Sequence, residues 1–300
     1  MLRNLVYLED EADDDEFDSD DENNFLLEER EEVLLANLKA LVNCSCGSAI
    51  NKSAILSCEA APILVELLKS DGVSDAILEE AIKLIGNISY LQVSNQGIMV
   101  THQCDSAVIT VCSERGHTVD VYIACARALA NFCMNEINQQ AVGYAATGCL
   151  RRLLVEFHAE EKLCIAVSDT FSAMSYKSFL NKNRMLEEDV LLLLCDMLSP
   201  AFSVEVQRAA SLAICTACLT DTNQRVAIKH GTLESLIAIA KKEADFPTRF
   251  ESRLEGNYRL LGKYLSRFAS IHILLSIFKL YVFCIPNSAS GHGISIPLPR

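Results

Sequence analysis

The chain has 300 residues, half of them apolar, with aromatics at 7% and no Trp, and it carries a formal net charge of −14. Few aromatics favour packed aliphatic helices over an aromatic-rich binding module. The acidic balance weighs against a nucleic-acid binder, which needs a basic footprint with stacking aromatics interleaved.

Residues 9–22 hold eleven carboxylates and no base. Such a segment repels itself and lacks the apolar surface to offset its ordering entropy, so a disordered acidic tail is expected over 1–28. Removing those eleven charges from −14 leaves −3, so the rest of the chain is close to neutral. Phe17 is a single aromatic contact residue within the tail. Ser19-Asp20-Asp21-Glu22 has the form of an acid-directed kinase site of the casein-kinase type, which makes Ser19 a regulatory candidate. The alternative is a purely solubilising tail. No apolar core of a secretory leader follows Met1-Leu2-Arg3-Asn4.

From Glu29 the pattern is helical and it repeats. Leu38-Lys39-Ala40-Leu41-Val42-Asn43-Cys44, Lys83-Leu84-Ile85-Gly86-Asn87-Ile88-Ser89 and Ala126-Arg127-Ala128-Leu129-Ala130-Asn131-Phe132 align on Asn43, Asn87 and Asn131, 44 residues apart. The basic residue four positions earlier keeps step as Lys39, Lys83 and Arg127, so each pair shares one helix face. A period in this range marks stacked helical units rather than one globular core. After each asparagine comes a polar link with a second Asn (Asn51, Asn95, Asn138), then an apolar run such as Ala61-Pro62-Ile63-Leu64-Val65-Glu66-Leu67-Leu68.

Two further copies place Ala173 and Thr216 at the asparagine position and Asp169 and Leu212 at the basic one, so the polar ladder fades after the third unit. The last copy continues as Asn223-Gln224-Arg225-Val226-Ala227-Ile228-Lys229-His230-Gly231. The expected units are 29–71, 72–115, 116–159, 160–200 and 201–243. Ile77, Leu78, Ala81, Ile82 and Ile85 make an apolar stripe wide enough to need cover on more than one side, which stacking supplies.

Val190 to Leu198 reads as a buried helix stopped by Pro200. Residues 244–285 read as a degenerate last repeat or cap. They hold a basic helical stretch, Arg253 to Arg267, and an apolar one, Ile271 to Ile285, which carries His272 and Lys279 and is shorter than the about 20 apolar residues a membrane span needs. Residues 286–300 are loop-like. No membrane insertion is expected.

No phosphate loop, His-x-x-x-His pair or nucleophile elbow is present, so neither enzymatic activity nor a cofactor is expected. The thirteen cysteines are odd in number and mostly lie in apolar helical patterns, which fits small buried hydrophobes in a reducing compartment. Cys215-x-x-Cys218 lacks a second pair or a His partner, so no metal site is expected. The expected compartment is the cytoplasm, with nucleus or cilium as alternatives.

The order of these features resembles the armadillo repeat over residues 29–243. The resemblance implies an all-α, right-handed armadillo-repeat solenoid of about five repeats with a degenerate C-terminal cap. In that family the asparagine-bearing face lines a concave groove and the amide bonds the backbone of an extended peptide. That implies backbone clamps at Asn43, Asn87 and Asn131, each amide offering donor and acceptor. The other reading is that these asparagines end helices or tie neighbouring repeats together. Import adaptors of the importin-alpha type carry Trp four residues before the asparagine and hold lysine-rich signals. Here Lys39, Lys83 and Arg127 stand there instead, which favours acidic peptides, as in the beta-catenin type of groove.

The expected function is a non-enzymatic protein-binding adaptor that holds an extended acidic segment along the first three repeats. The tethered tail is expected to occupy that groove in the free protein, tightened by phosphorylation at Ser19. One alternative is a transport adaptor, since Ile77 to Ser89 is similar to armadillo-repeat proteins of motile cilia. Another is a structural subunit that uses its convex and C-terminal surfaces.

Overall fold

The computed structural model describes residues 20–244, and the side chains of 29–239; these residues form fourteen helices and no strand. A long first helix, α1 (Asp20–Ser45), leads into units of three. The first unit is α2 (Ala49–Ser57), α3 (Ala60–Lys69) and α4 (Asp75–Ser89), and the second is α5 (Val93–Thr101), α6 (Cys104–Ser113) and α7 (Val119–Cys133). In the third, one helix, α8 (Glu136–Glu156), replaces the first two and is followed by α9 (Glu161–Ser175). The fourth is α10 (Phe179–Glu187), α11 (Val190–Asp196) and α12 (Val204–Ala217), and α13 (Asp221–Lys229) with α14 (Thr232–Ala244) begins a fifth. The structural unit thus opens on its short first helix, whereas the sequence units open on the long third one. The period is the same and the phase differs, because the legible motif sits on the long helix.

Local chemistry sets these boundaries. All first helices but α5 are capped, by Ser48, Asn135, Ser178 and Thr220, whose side-chain oxygens accept from Asn51 N, Ile137 N, Asn181 N and Asn223 N at 3.1–3.4 Å. First and second helices are separated by one left-handed residue: Glu59 (φ 58°), Gln103 (φ 62°), Asp189 (φ 58°) and Gly231 (φ 80°). For the three non-glycine residues this costs about 1–2 kcal/mol each, offset by buried partners just beyond the turn, such as Ala60, Cys104 and Val190. The third unit has Ala145-Ala146-Thr147 at this place, and alanine, the best helix former, lets α8 run through.

The long helices stack side by side in the order α1, α4, α7, α9, α12. On α4, Ile77, Leu78, Ala81, Ile82, Leu84, Ile85 and Ile88 are all buried, so the wide apolar stripe is covered on more than one side. Each such Ile or Leu contributes about 1.5–3 kcal/mol of burial. The helix at Val190 is present as α11, with Val190, Leu191 and Leu194 fully buried ahead of a turn at Ser199-Pro200.

The tail expected over 1–28 meets helical backbone at Asp20, nine residues before the expected start of the array. Residues 1–19, with Phe17 and Ser19, lie outside the described residues. So do 245–300, which contain the expected cap, the apolar Ile271 to Ile285 stretch and Cys284.

Candidate binding surface

The third-helix ladder brings the nominated residues onto adjacent helices: Lys39 and Asn43 on α1, Lys83 and Asn87 on α4, Arg127 and Asn131 on α7. Lys39 is exposed and meets no carboxylate among the described residues. Lys83 is already paired, with its Nζ 2.5 Å from Glu79 Oε1 and 2.8 Å from Glu80 Oε1. Burial works against its charge, but the two carboxylates outweigh burial and raise its pKa. Arg127 is exposed and forms no ion pair within 4.0 Å among the described residues; its charge acts through space on Asp169 of α9. The basic ladder is therefore compensated at its middle rung and open at Lys39 and Arg127. Glu79 and Glu80 are the residues that sequence reasoning missed, although their spacing four and three before Lys83 was there to be read.

The asparagines divide in the same way. Asn43 is exposed and makes no side-chain hydrogen bond among the described residues. Asn87 Nδ2 donates to Val42 O (3.2 Å) and Ser45 Oγ (3.1 Å), and Asn131 Nδ2 donates to Gly86 O (2.9 Å). Each of these two ties its helix to the preceding third helix, which supplies the partner a half-buried amide needs. Both Oδ1 atoms accept no hydrogen bond among the described residues, so the tie leaves an acceptor for a peptide N–H.

The second asparagines Asn51 and Asn95 are structural, whereas Asn138, inside α8, is buried with its Nδ2 unpartnered among the described residues. Asn51, Asn95 and Asn181 lie in the first turn of a first helix and donate to Cys44 O, Ile88 O and Met174 O, each seven residues back. Asn223 donates likewise to Ala217 O, six residues back. The residue after Asn51, Asn95 and Asn138 reaches forward to the end of the next third helix: Lys52 Nζ to Tyr90 O, Gln96 Nε2 to Asn131 O, and Gln139 Nε2 to Ala173 O. Lys52 is 5% exposed, and burial lowers its pKa.

At the opposite end of the third helices, His117 Nδ1 lies 2.7 Å from Asp75 Oδ1 and its Nε2 lies 3.2 Å from Glu114 Oε2. Thr118 N donates to Asp75 Oδ2 at 2.5 Å. Burial disfavours both charges, yet the hydrogen bonds prevail: the His117 pKa is raised above 6.5 and the Asp75 pKa is held below 3.8.

A second surface was not read from the sequence. Three residues after each ladder position of the second to fifth copies stands an exposed apolar side chain: Tyr90, Met134, Tyr176 and Leu219. Beside them Ile50, Val93, Ile137 and Phe179 open the first helices, with Ile137 85% and Ile50 82% exposed. A cleft of about 520 Å³ opens on this edge between Val93, Ile98 and Ile137. The same register that found the asparagines would have found this row.

Nine cysteines, including Cys215 and Cys218, are buried, whereas Cys44, Cys46 and Cys58 are exposed, contrary to a uniformly buried set. Among the described residues no group of three or more His, Cys, Asp or Glu is placed to hold a metal, and no helix is long and apolar enough to cross a membrane.

No protein-family model matches the chain, and no curated protein matches it by sequence. Solved structures do. It is similar to a designed armadillo repeat protein at TM-score 0.68 and 16% identity, over 93% of this chain and 100% of that one. A crystal structure of computationally designed armadillo repeat proteins for modular peptide recognition matches at TM-score 0.65 and 17% identity, over 92% and 99%. A designed armadillo repeat protein in complex with peptide (KR)4 matches at TM-score 0.64 and 17% identity, again over 92% and 99%. At these identities the likeness is one of fold, and by fold the chain is an armadillo-like repeat protein.

Proposed function

We propose that the chain is a non-enzymatic adaptor that holds an extended, acidic segment of another protein across the third-helix ladder from α1 to α7. The observation that carries this reading is the recurrence of a cation and an amide on three adjacent stacked helices, with Lys39 and Arg127 exposed and unpaired among the described residues. A designed protein of the same fold is in complex with a peptide, which supports a peptide-holding role. Here the exposed cations favour carboxylates. Ligand carboxylates reach Lys39 and Arg127 directly and compete with Glu79 and Glu80 for Lys83. The free Oδ1 of Asn87 and Asn131 and the whole amide of Asn43 meet the peptide backbone. The acidic tail, residues 9–19 in particular, is a tethered competitor for the same rungs, and phosphorylation at Ser19 strengthens that competition.

The test is fluorescence anisotropy of a labelled glutamate-rich peptide against the full chain, wild type and carrying Lys39→Glu with Arg127→Glu. Salt-sensitive binding that the double reversal abolishes supports the reading. Binding that survives the reversal overturns it. The apolar row at Tyr90, Met134, Tyr176 and Leu219 favours a second reading, a structural subunit that docks through this edge. A subunit of that kind keeps its partners when the ladder is reversed and loses them on Ile137→Asp.

A further inference from the structure

The fourth rung of the ladder carries the opposite charge. Asp169 on α9 stands where Arg127 stands on α7, 42 residues earlier, and where Lys83 stands on α4. Its side chain is exposed and makes no hydrogen bond or ion pair with any described residue. Arg127 lies near enough to act on it through space but does not pair with it. The protein atoms around it disfavour the charged carboxyl and push it up to about 6 despite that cation. An exposed carboxylate without a bonded counter-charge, on a ladder of cations and in surroundings that disfavour its charge, is short of a partner. The next rung, Leu212 on α12, is apolar and half-buried, so the charged series ends at Asp169.

We propose that Asp169 is the cation-receiving rung of the groove: it takes a Lys or Arg from the same extended segment whose carboxylates meet Lys39 and Arg127. The inference rests on the groove reading above and adds to it the charge pattern of the partner. Packed helices lie about 8–10 Å apart and an extended chain advances about 3.3 Å per residue, so neighbouring rungs contact residues about three apart. The preferred segment is acidic over α1 to α7, with a basic residue about three positions beyond the carboxylate that meets Arg127. The charge inversion sets both register and chain direction, because a reversed segment puts like charges together at two rungs and a segment slipped by one rung does so at one. It also separates a partner from the tail, since residues 9–22 contain no Lys or Arg to offer Asp169.

The experiment uses the full chain and labelled peptides with glutamates about three residues apart, ending in Lys, Gln or Glu one rung further on, each made in both chain directions. Anisotropy is read for wild type, Asp169→Asn, and Lys39→Ala with Arg127→Ala. Because Asp169 is exposed, Asp169→Asn does not threaten the fold. The expected result is that the Lys-ended peptide, in one direction only, binds up to about fivefold tighter than the Gln-ended one. Asp169→Asn erases that advantage, so that Lys- and Gln-ended peptides bind it alike. Tail competition weakens both peptides alike and so leaves their ratio intact. Equal affinity for Lys- and Gln-ended peptides, or an advantage that persists in Asp169→Asn, overturns the assignment of Asp169 while the groove reading stands. If no peptide binds and the double alanine variant changes nothing, the groove reading fails and this inference with it.

Discussion

Gly143 lies inside α8 where the first turn of α10 crosses it. A Cβ at this position would sit 2.3 Å from Nδ2 and 2.9 Å from Cγ of Asn181, and 2.9 Å from Cβ of Met174. Asn181 is fully buried, and the same Nδ2 joins two units by donating to Gln139 O and Met174 O, each at 2.8 Å. Gly143→Ala therefore shifts Asn181 or α10. Overpacking costs about 1–3 kcal/mol, and carbonyls left unpaired in the interior cost about 1–3 kcal/mol more. Improved helix propensity returns only about 1 kcal/mol. The net expectation is a loss of about 1–5 kcal/mol. Gly148, five residues along the same helix, has nothing within 4 Å of its would-be Cβ, so Gly148→Ala gains up to about 1 kcal/mol. Urea unfolding followed by circular dichroism separates the two: the midpoint falls for Gly143→Ala and rises for Gly148→Ala at unchanged slope. A Gly143→Ala midpoint at or above wild type would refute the packing of α10 on α8.

Other consequences follow from the joints between units. The His117 contribution is fully present below 6.5 and is lost as pH rises through its elevated folded value, while that of Asp75 is present above 3.8 and lost as pH falls through its depressed one. His117→Gln should therefore cost roughly 1 kcal/mol near pH 5.5 and progressively less toward pH 9; a urea-midpoint gap that does not change with pH contradicts the joint. Lys52→Gln should stay within about 1 kcal/mol of wild type, because glutamine makes the equivalent bond at Gln96 and Gln139, whereas Lys52→Ala should cost about 1–3 kcal/mol by leaving Tyr90 O unpaired. In thermal melts, equal losses for both variants would count against that equivalence. Thiol labelling of the native chain, mapped by mass spectrometry, should modify Cys44, Cys46 and Cys58 well before the nine buried cysteines, whose environment pushes Cys104 and Cys133 up to about 12. Uniform labelling kinetics would contradict the burial described.

What the sequence made legible is what repeats locally. The step from Asn43 to Asn87 to Asn131 is a property of one helix and survives in the linear text, so period, helix class and ladder could all be read. The ties of Asn87 to Val42 and of Asn131 to Gly86 could not, because they depend on how closely two third helices approach. The unbroken α8 was missed because the left-handed turn residues of the other units (Glu59, Gln103, Asp189) are ordinary polar residues rather than glycines, so their replacement by alanines carries little visible signal. Asp169 was visible only as a lapse from the pattern. On the stacked ladder it stands as an exposed, unpaired charge next to an unpaired cation of opposite sign, which a linear reading does not convey.

The central claim is that the open cations of α1 and α7 receive an acidic segment. Its most direct test is the affinity of a labelled peptide of residues 1–19 for the chain beginning at Asp20, at low and moderate salt, with single alanine substitutions at Lys39, Lys83 and Arg127. The account predicts salt-sensitive binding, weakened several-fold by Lys39→Ala and by Arg127→Ala, and less by Lys83→Ala because Glu79 and Glu80 already hold that cation. Binding that ignores salt and all three substitutions, or no binding at all, would contradict it and would turn attention to the apolar edge at Tyr90, Met134 and Tyr176.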